Sequence, residues 1–192
     1  MLASTSGTRR KLLERAEIPV ETCAPEVNER ALEASLGEHD PEGLASVLAQ
    51  AKALAVSRRL PGRIVVGADQ VMTCAGVVLH KPANRANALV QLTFLSGRTH
   101  TLHSAGAIAV DGVTVELFAA SARLTMRQLS PSALSAYLDG LDPAVLGSTG
   151  VYRWEERGAH LFEKVEGDHS TILGLPLIPL LVGLRRLGCL AF

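Results

Sequence analysis

Asp111-Gly112 separates two long runs of strand-forming residues, Thr99 to Val110 and Val113 to Met126. Asp-Gly tolerates positive φ at both central positions of a two-residue turn, which is what a tight hairpin demands. The chain is therefore committed to two long neighbouring strands, and its other segments must cover the ribbon they make. Arg63 to Asp69 and Val71 to Leu79 read as two further strands around the turn Ala75-Gly76. That reading puts Asp69 at the carboxyl end of one strand and Lys81 just past the end of its return strand.

Helical signals alternate with these strands. GTRRKLLERA carries Leu12, Leu13 and Ala16 on one face, with Ser6 or Thr8 near the N-cap. Asp40-Pro41 supplies a capping carboxylate and a proline at the first helical position. Leu44, Leu48, Ala51 and Ala55 then keep helical spacing to about Arg59. Asn84 caps a helix reaching about Leu95, and Ser130-Pro131 starts one through Leu138. Gly174 to Leu187 reads as an apolar helix with Pro176 near its start and Gly188 closing it. Leu2-Ala3-Ser4 is a short strand end, Ala24 to Asp40 is loop with a little helix, and His160 to Val165 alternates like a strand. Helices interleaved with strands and hairpins predict an α/β fold: a mixed twisted sheet with helices on both faces, in two lobes around a central cleft. One domain over residues 1–192 is expected.

Composition narrows the function. At 192 residues with 47% hydrophobic side chains the chain can bury a substantial core. Lys+Arg and Asp+Glu both number 19, so no broad basic surface for nucleic acid is expected. No apolar run approaches the length of a membrane span, and the start lacks a signal-peptide pattern. Cys23, Cys74 and Cys189 are too few and too widely spaced for a disulfide framework or a thiolate zinc site, which points to a reducing cytoplasm. The P-loop, dinucleotide, zinc-protease and nucleophile-elbow motifs are all missing.

Polar chemistry gathers at four places. In LASTSGTRR, hydroxyls and Gly7 precede a helix N-terminus, a setting suited to phosphate, and Arg9 can add a guanidinium fork. In APEVNER, Glu29 or Glu26 can hold a divalent cation or position water, although acidic loops are usually just solvated. Lys52 sits one helical turn after Leu48, at the edge of an apolar face. A lone lysine there most often points to solvent, and the alternative is that it reaches into a cleft. Asp69 and Lys81 are the fourth place: a carboxylate for general-base work or Mg²⁺, and a point charge for polyphosphate.

Taken in order, these pieces resemble the Maf-like nucleoside triphosphate pyrophosphatases over nearly the whole chain, from LASTSGTRRKLLE to EGDHSTILGLPLIPLL. The matching marks are Asn28-Glu29, Lys52-Ala53, Gly67-Ala68-Asp69-Gln70, His80-Lys81-Pro82, Leu95-Ser96-Gly97 and Gly174-Leu175-Pro176-Leu177. Gln70, the phrase Ala24 to Val27 and Glu155 in YRWEERG are similar to the branch acting on 7-methyl-GTP. Thr8, where that branch often has Trp, departs from it, as do Gly7, Asn28 and His80. The resemblance implies a Maf/ITPase-like fold and hydrolysis to the monophosphate and pyrophosphate with Mg²⁺ or Mn²⁺. It implies Asp69 as general base and, with Glu29, metal ligand. Ser6, Arg9, Lys52 and Lys81 would grip the triphosphate, and Thr8, Gln70 and Glu155 would shape the base pocket. It also implies a homodimer. Two alternatives stay open: a dTTP/UTP or broad-specificity pyrophosphatase, and a nucleotide-binding regulator of septum formation.

Overall fold

The computed structural model describes residues 1–36 and 40–190. Its strands are β1 (Leu2–Ala3), β2 (Val65–Cys74), β3 (Val77–Leu79), β4 (Thr99–Val110), β5 (Val113–Met126) and β6 (Phe162–Glu166). Its helices are α1 (Gly7–Arg15), α2 (Glu29–Leu36), α3 (Pro41–Ser57), α4 (Arg85–Leu95), α5 (Pro131–Asp139), α6 (His169–Ile172) and α7 (Leu177–Arg186). The six strands form one mixed sheet in the order β1-β2-β4-β5-β6, with β3 paired to β2. β1 runs parallel to β2, with Leu2 opposite Val66. β3 and β6 pair antiparallel to β2 and β5.

The local signals explain most of these elements. Asp111 and Gly112 adopt φ of 49° and 76°, as the hairpin requires. The Asp111 carboxylate also accepts from the Gly62 N–H at 2.6 Å. Asp40, Asn84 and Ser130 each accept from the backbone N–H three residues on, and so cap α3, α4 and α5. Ser6 does the same for α1. The little helix expected between Ala24 and Asp40 is α2, with Glu29 as its first residue.

Two expectations are corrected. β2 does not end at Asp69 but runs on to Cys74. A polar pair can sit inside a buried strand when its side chains have partners, and Asp69 and Gln70 both do. The C-terminal helix starts at Leu177 rather than Gly174, with Pro176 as N-cap. Gly174 has φ of 88°, a left-handed conformation that cannot propagate a helix.

The chain divides into two compact units. The first comprises Met1–Val71, His103–Ser121 and Asp168–Phe192. One core cluster joins Leu2, Leu12, Leu13, Val66, Ile108 and Leu180, so α1 and α7 share one face of the sheet. On the other face α3 rests its alanines on β2 and β4, with Ala53 packed against Ala107 and Ala109. This seam is tight. A Cβ added at Gly67 would stand 2.2 Å from the Ala49 carbonyl oxygen and 2.5 Å from the Ala53 nitrogen. The second unit comprises Met72–Leu102 and Ala122–Gly167. There α4 packs on α5, and His100, Tyr152, Trp154 and Phe162 form a cluster of rings.

Candidate active site

The close seam between α3 and β2 brings Lys52 to Asp69. Strand alternation puts Gly67 and Asp69 on one face of β2, and helical spacing puts Ala49, Lys52 and Ala53 on the face of α3 that meets it. The Lys52 ammonium donates to Asp69 Oδ1 at 2.5 Å and lies 2.8 Å from Glu29 Oε1. The lysine side chain is 7% exposed and that of Asp69 10%, whereas Glu29 is 52% exposed. The cluster is thus buried at its lysine–aspartate end and open at its glutamate end. The lysine does not take the solvent-facing course usual for a lone lysine on an amphipathic helix.

Arg9 completes the charge pattern. Its Nε donates to the Gly174 carbonyl at 2.8 Å and its Nη1 to the Ala68 carbonyl at 2.9 Å. Ala68 immediately precedes Asp69, so the guanidinium is tied to the backbone beside the carboxylate. Burial lowers the Arg9 pKa, and the Asp69 and Glu29 carboxylates push it back up. Gly174 serves this contact directly, because a Cβ there would lie 3.2 Å from Arg9 Nη2. Two anions and two cations are held together in this unit, which makes their burial tolerable. At the start of α1, Ser6 caps the helix and its own N–H donates to Ser4 Oγ at 3.1 Å. A Cβ at Gly7 would meet nothing within 4 Å, so the space before this helix is open. Thr8 is half-buried one residue further on.

Gln70 is not brought to this cluster. Its neighbour in a strand faces the other way, and its amide donates to Ser104 Oγ at 2.8 Å and to the Thr171 and Ile172 carbonyls at 3.0 and 3.1 Å. It braces β2 to β4 and α6. Lys81 and Glu155 belong to the second unit: Lys81 is exposed two residues after β3, and Glu155 is exposed in the turn before Arg157. Trp154, next to Glu155, is half-buried, with its ring 5.8 Å from that of Phe162.

Sequence reading passed over the buried hydroxyls. Ser104 Oγ donates to the Thr171 carbonyl at 2.8 Å, and Ser170 Oγ accepts from the Leu177 N–H at 2.9 Å. Asp168 caps α6 through the Ser170 and Thr171 N–H groups. A capping pattern at Asp168-His169-Ser170-Thr171 was the available signal.

Among the described residues no group of three or more His, Cys, Asp or Glu is placed to hold a metal ion. Glu29 and Asp69, which touch the same ammonium, are hard oxygen donors. They fit a cation such as Mg²⁺, which needs few protein carboxylates and takes its other ligands from water and phosphate. Among the described residues no helix is long and apolar enough to cross a membrane.

Comparison with known proteins places this geometry in context. A protein named nucleoside triphosphate pyrophosphatase from Rhodopseudomonas palustris (strain BisB18) is 48% identical over 192 residues, covering 100% of this chain and 95% of the relative. Proteins named 7-methyl-GTP pyrophosphatase from Rhizobium johnstonii and Mesorhizobium japonicum are 46% and 45% identical, each covering 99% of this chain and 96% of the relative. The family model described as Maf-like protein matches residues 1–187, a span that holds Arg9, Glu29, Lys52 and Asp69, and the chain belongs to that family.

Proposed function

We propose that the chain hydrolyses the bond between the α- and β-phosphates of a nucleoside triphosphate, with 7-methyl-GTP as preferred substrate. The observation that carries this reading is the Lys52 ammonium shared by Asp69 and Glu29 beside a guanidinium fixed by two carbonyls. The names of the relatives support the reaction class.

Asp69 acts as general base: it takes a proton from water as the oxygen bonds to the α-phosphorus, and the bond to the bridging oxygen breaks to release pyrophosphate. At rest Lys52 neutralises Asp69. A triphosphate offers that ammonium a denser anion, and the lysine's turn toward it unmasks the carboxylate. Arg9, whose Nε and Nη1 are used on backbone carbonyls, keeps Nη2 for a phosphoryl oxygen. Ser6 and the start of α1 add N–H dipole. Glu29 and Asp69 would hold Mg²⁺ or Mn²⁺, which when bound offsets charge on the phosphates. For Lys81 and Glu155 the family resemblance supplies the roles: Lys81 grips the triphosphate, and the Glu155 carboxylate accepts from the guanine N–H donors and complements the charge of the methylated ring. A homodimer and a cytoplasmic setting belong to the same proposal.

Thr8, standing where an aromatic would stack on the base, favours a second reading of broad or dTTP/UTP specificity. A panel of canonical and modified nucleotides, assayed for pyrophosphate release with and without Mn²⁺, decides between them. Highest kcat/KM on 7-methyl-GTP is the expected result. Equal efficiency across bases supports the broad reading. Tight nucleotide binding without pyrophosphate release sinks both and favours a nucleotide-sensing regulator of septum formation.

A further inference from the structure

The second unit contains a segment without helix or strand, residues 148–156, that is nonetheless fixed by buried side chains. His100 Nε2 lies 2.7 Å from the Tyr152 hydroxyl, and His100 is fully buried. Among the described residues its Nδ1 has no hydrogen-bond partner, which leaves the bond to Tyr152 on the other ring nitrogen. Tyr137 donates from its hydroxyl to the Val151 carbonyl at 3.2 Å. Ser148 Oγ reaches the Tyr152 carbonyl at 3.3 Å.

Val151 provides an independent sign of constraint. It is fully buried with φ of 57°, a left-handed conformation that is an outlier for a β-branched residue. Such a residue persists only when its surroundings over-determine it, and strained positions of this kind gather at ligand clamps. Here the surroundings are Tyr137 on its carbonyl and Tyr152 as its neighbour. Tyr152 is itself packed edge-on to Phe162 at 4.8 Å. Trp154 and Glu155 follow directly, so the direction of the backbone at residues 151 and 152 decides where they lie.

We propose that His100, Tyr152 and Tyr137 are positioning residues for nucleobase selection, acting by holding residues 148–156 in one arrangement that fixes Trp154 and Glu155. This rests on the reading that Glu155 meets the base. The anchors touch no substrate. They remove alternative settings of the carboxylate, so that recognition does not have to order the segment at the moment of binding.

The test uses the full chain. Tyr152→Phe deletes the hydroxyl but keeps the ring on Phe162, and Tyr137→Phe deletes the second anchor. Trp154 is the only tryptophan, so its emission reports on the segment. We expect emission to shift to the red in both variants. The ratio of kcat/KM for 7-methyl-GTP over UTP should fall about tenfold, the size expected for roughly one hydrogen bond. The loss should enter through KM for 7-methyl-GTP, with kcat on UTP within about twofold of wild type. An unchanged ratio in both variants, or equal losses on both nucleotides, overturns the proposal and leaves these bonds with a purely structural role. If the wild type releases no pyrophosphate at all, the parent reading fails separately. The anchors are then judged by the change in Trp154 emission on adding 7-methyl-GTP: a response weakened in Tyr152→Phe supports them, and an identical response overturns them.

Discussion

Asp69 is held by one ammonium at 2.5 Å, and that ammonium also serves Glu29. Asp69→Asn keeps the shape and loses the base, so kcat should fall by about two to four orders of magnitude while the melting temperature stays close to wild type. Near-normal turnover in that variant would remove Asp69 from the mechanism. Lys52→Met is expected to behave differently. It leaves a buried carboxylate unpaired and should cost about 3–5 kcal/mol of stability, measured by denaturant titration. Adding Asp69→Leu to Lys52→Met should recover much of that loss, because no uncompensated charge remains. The lysine's burial was hard to read in advance. Residue spacing placed it at the edge of an apolar face, but whether it turns inward depends on an acid some distance away in sequence. Gln70 was harder still, since its partners lie on β4 and α6.

Elements that carry their own signals were legible: four capped helices, the Asp111-Gly112 hairpin and the strand near His160. The misplaced ends share a cause. Asp69-Gln70 mimics a strand terminus because two polar residues interrupt an apolar run, and only tertiary partners reveal that β2 continues. Gly174 looks like part of a helix until its left-handed backbone is seen delivering a carbonyl to Arg9. The contact of α3 with β2 yields the prediction at this scale. Gly67→Ala places a methyl 2.2 Å from the Ala49 oxygen, so the helix must move away from the strand. A cost of about 1–3 kcal/mol is expected from such overpacking. Activity should drop as well, because Lys52 moves with α3. A Gly67→Ala enzyme that is as stable and as fast as wild type would show that the seam has slack.

For the molecule as a whole, acid stability follows from His100. Burial lowers its pKa from 6.5 to about 4. Between those values the unfolded chain binds a proton that the folded chain does not, so stability is complete above about pH 6.5 and declines as pH falls toward 4. The full loss is of order 3 kcal/mol. Melting curves at pH 7 and pH 5 should therefore differ more for the wild type than for His100→Phe, and equal differences would contradict the assignment. The α/β class with a mixed sheet was readable from the alternation of signals. Where the two units divide was less so, because β2, β4 and β5 each contribute residues to both and no linker marks the passage.

The meeting of Ala49, Ala53 and Gly67 has a further consequence. Charged groups usually attract attention as the places where a catalyst can least afford change, yet Glu29, half open to solvent, has space around it. The three smallest side chains have none: any enlargement wedges the lysine off its acid. In this protein, tolerance to added bulk should be lowest where the sequence is chemically plainest.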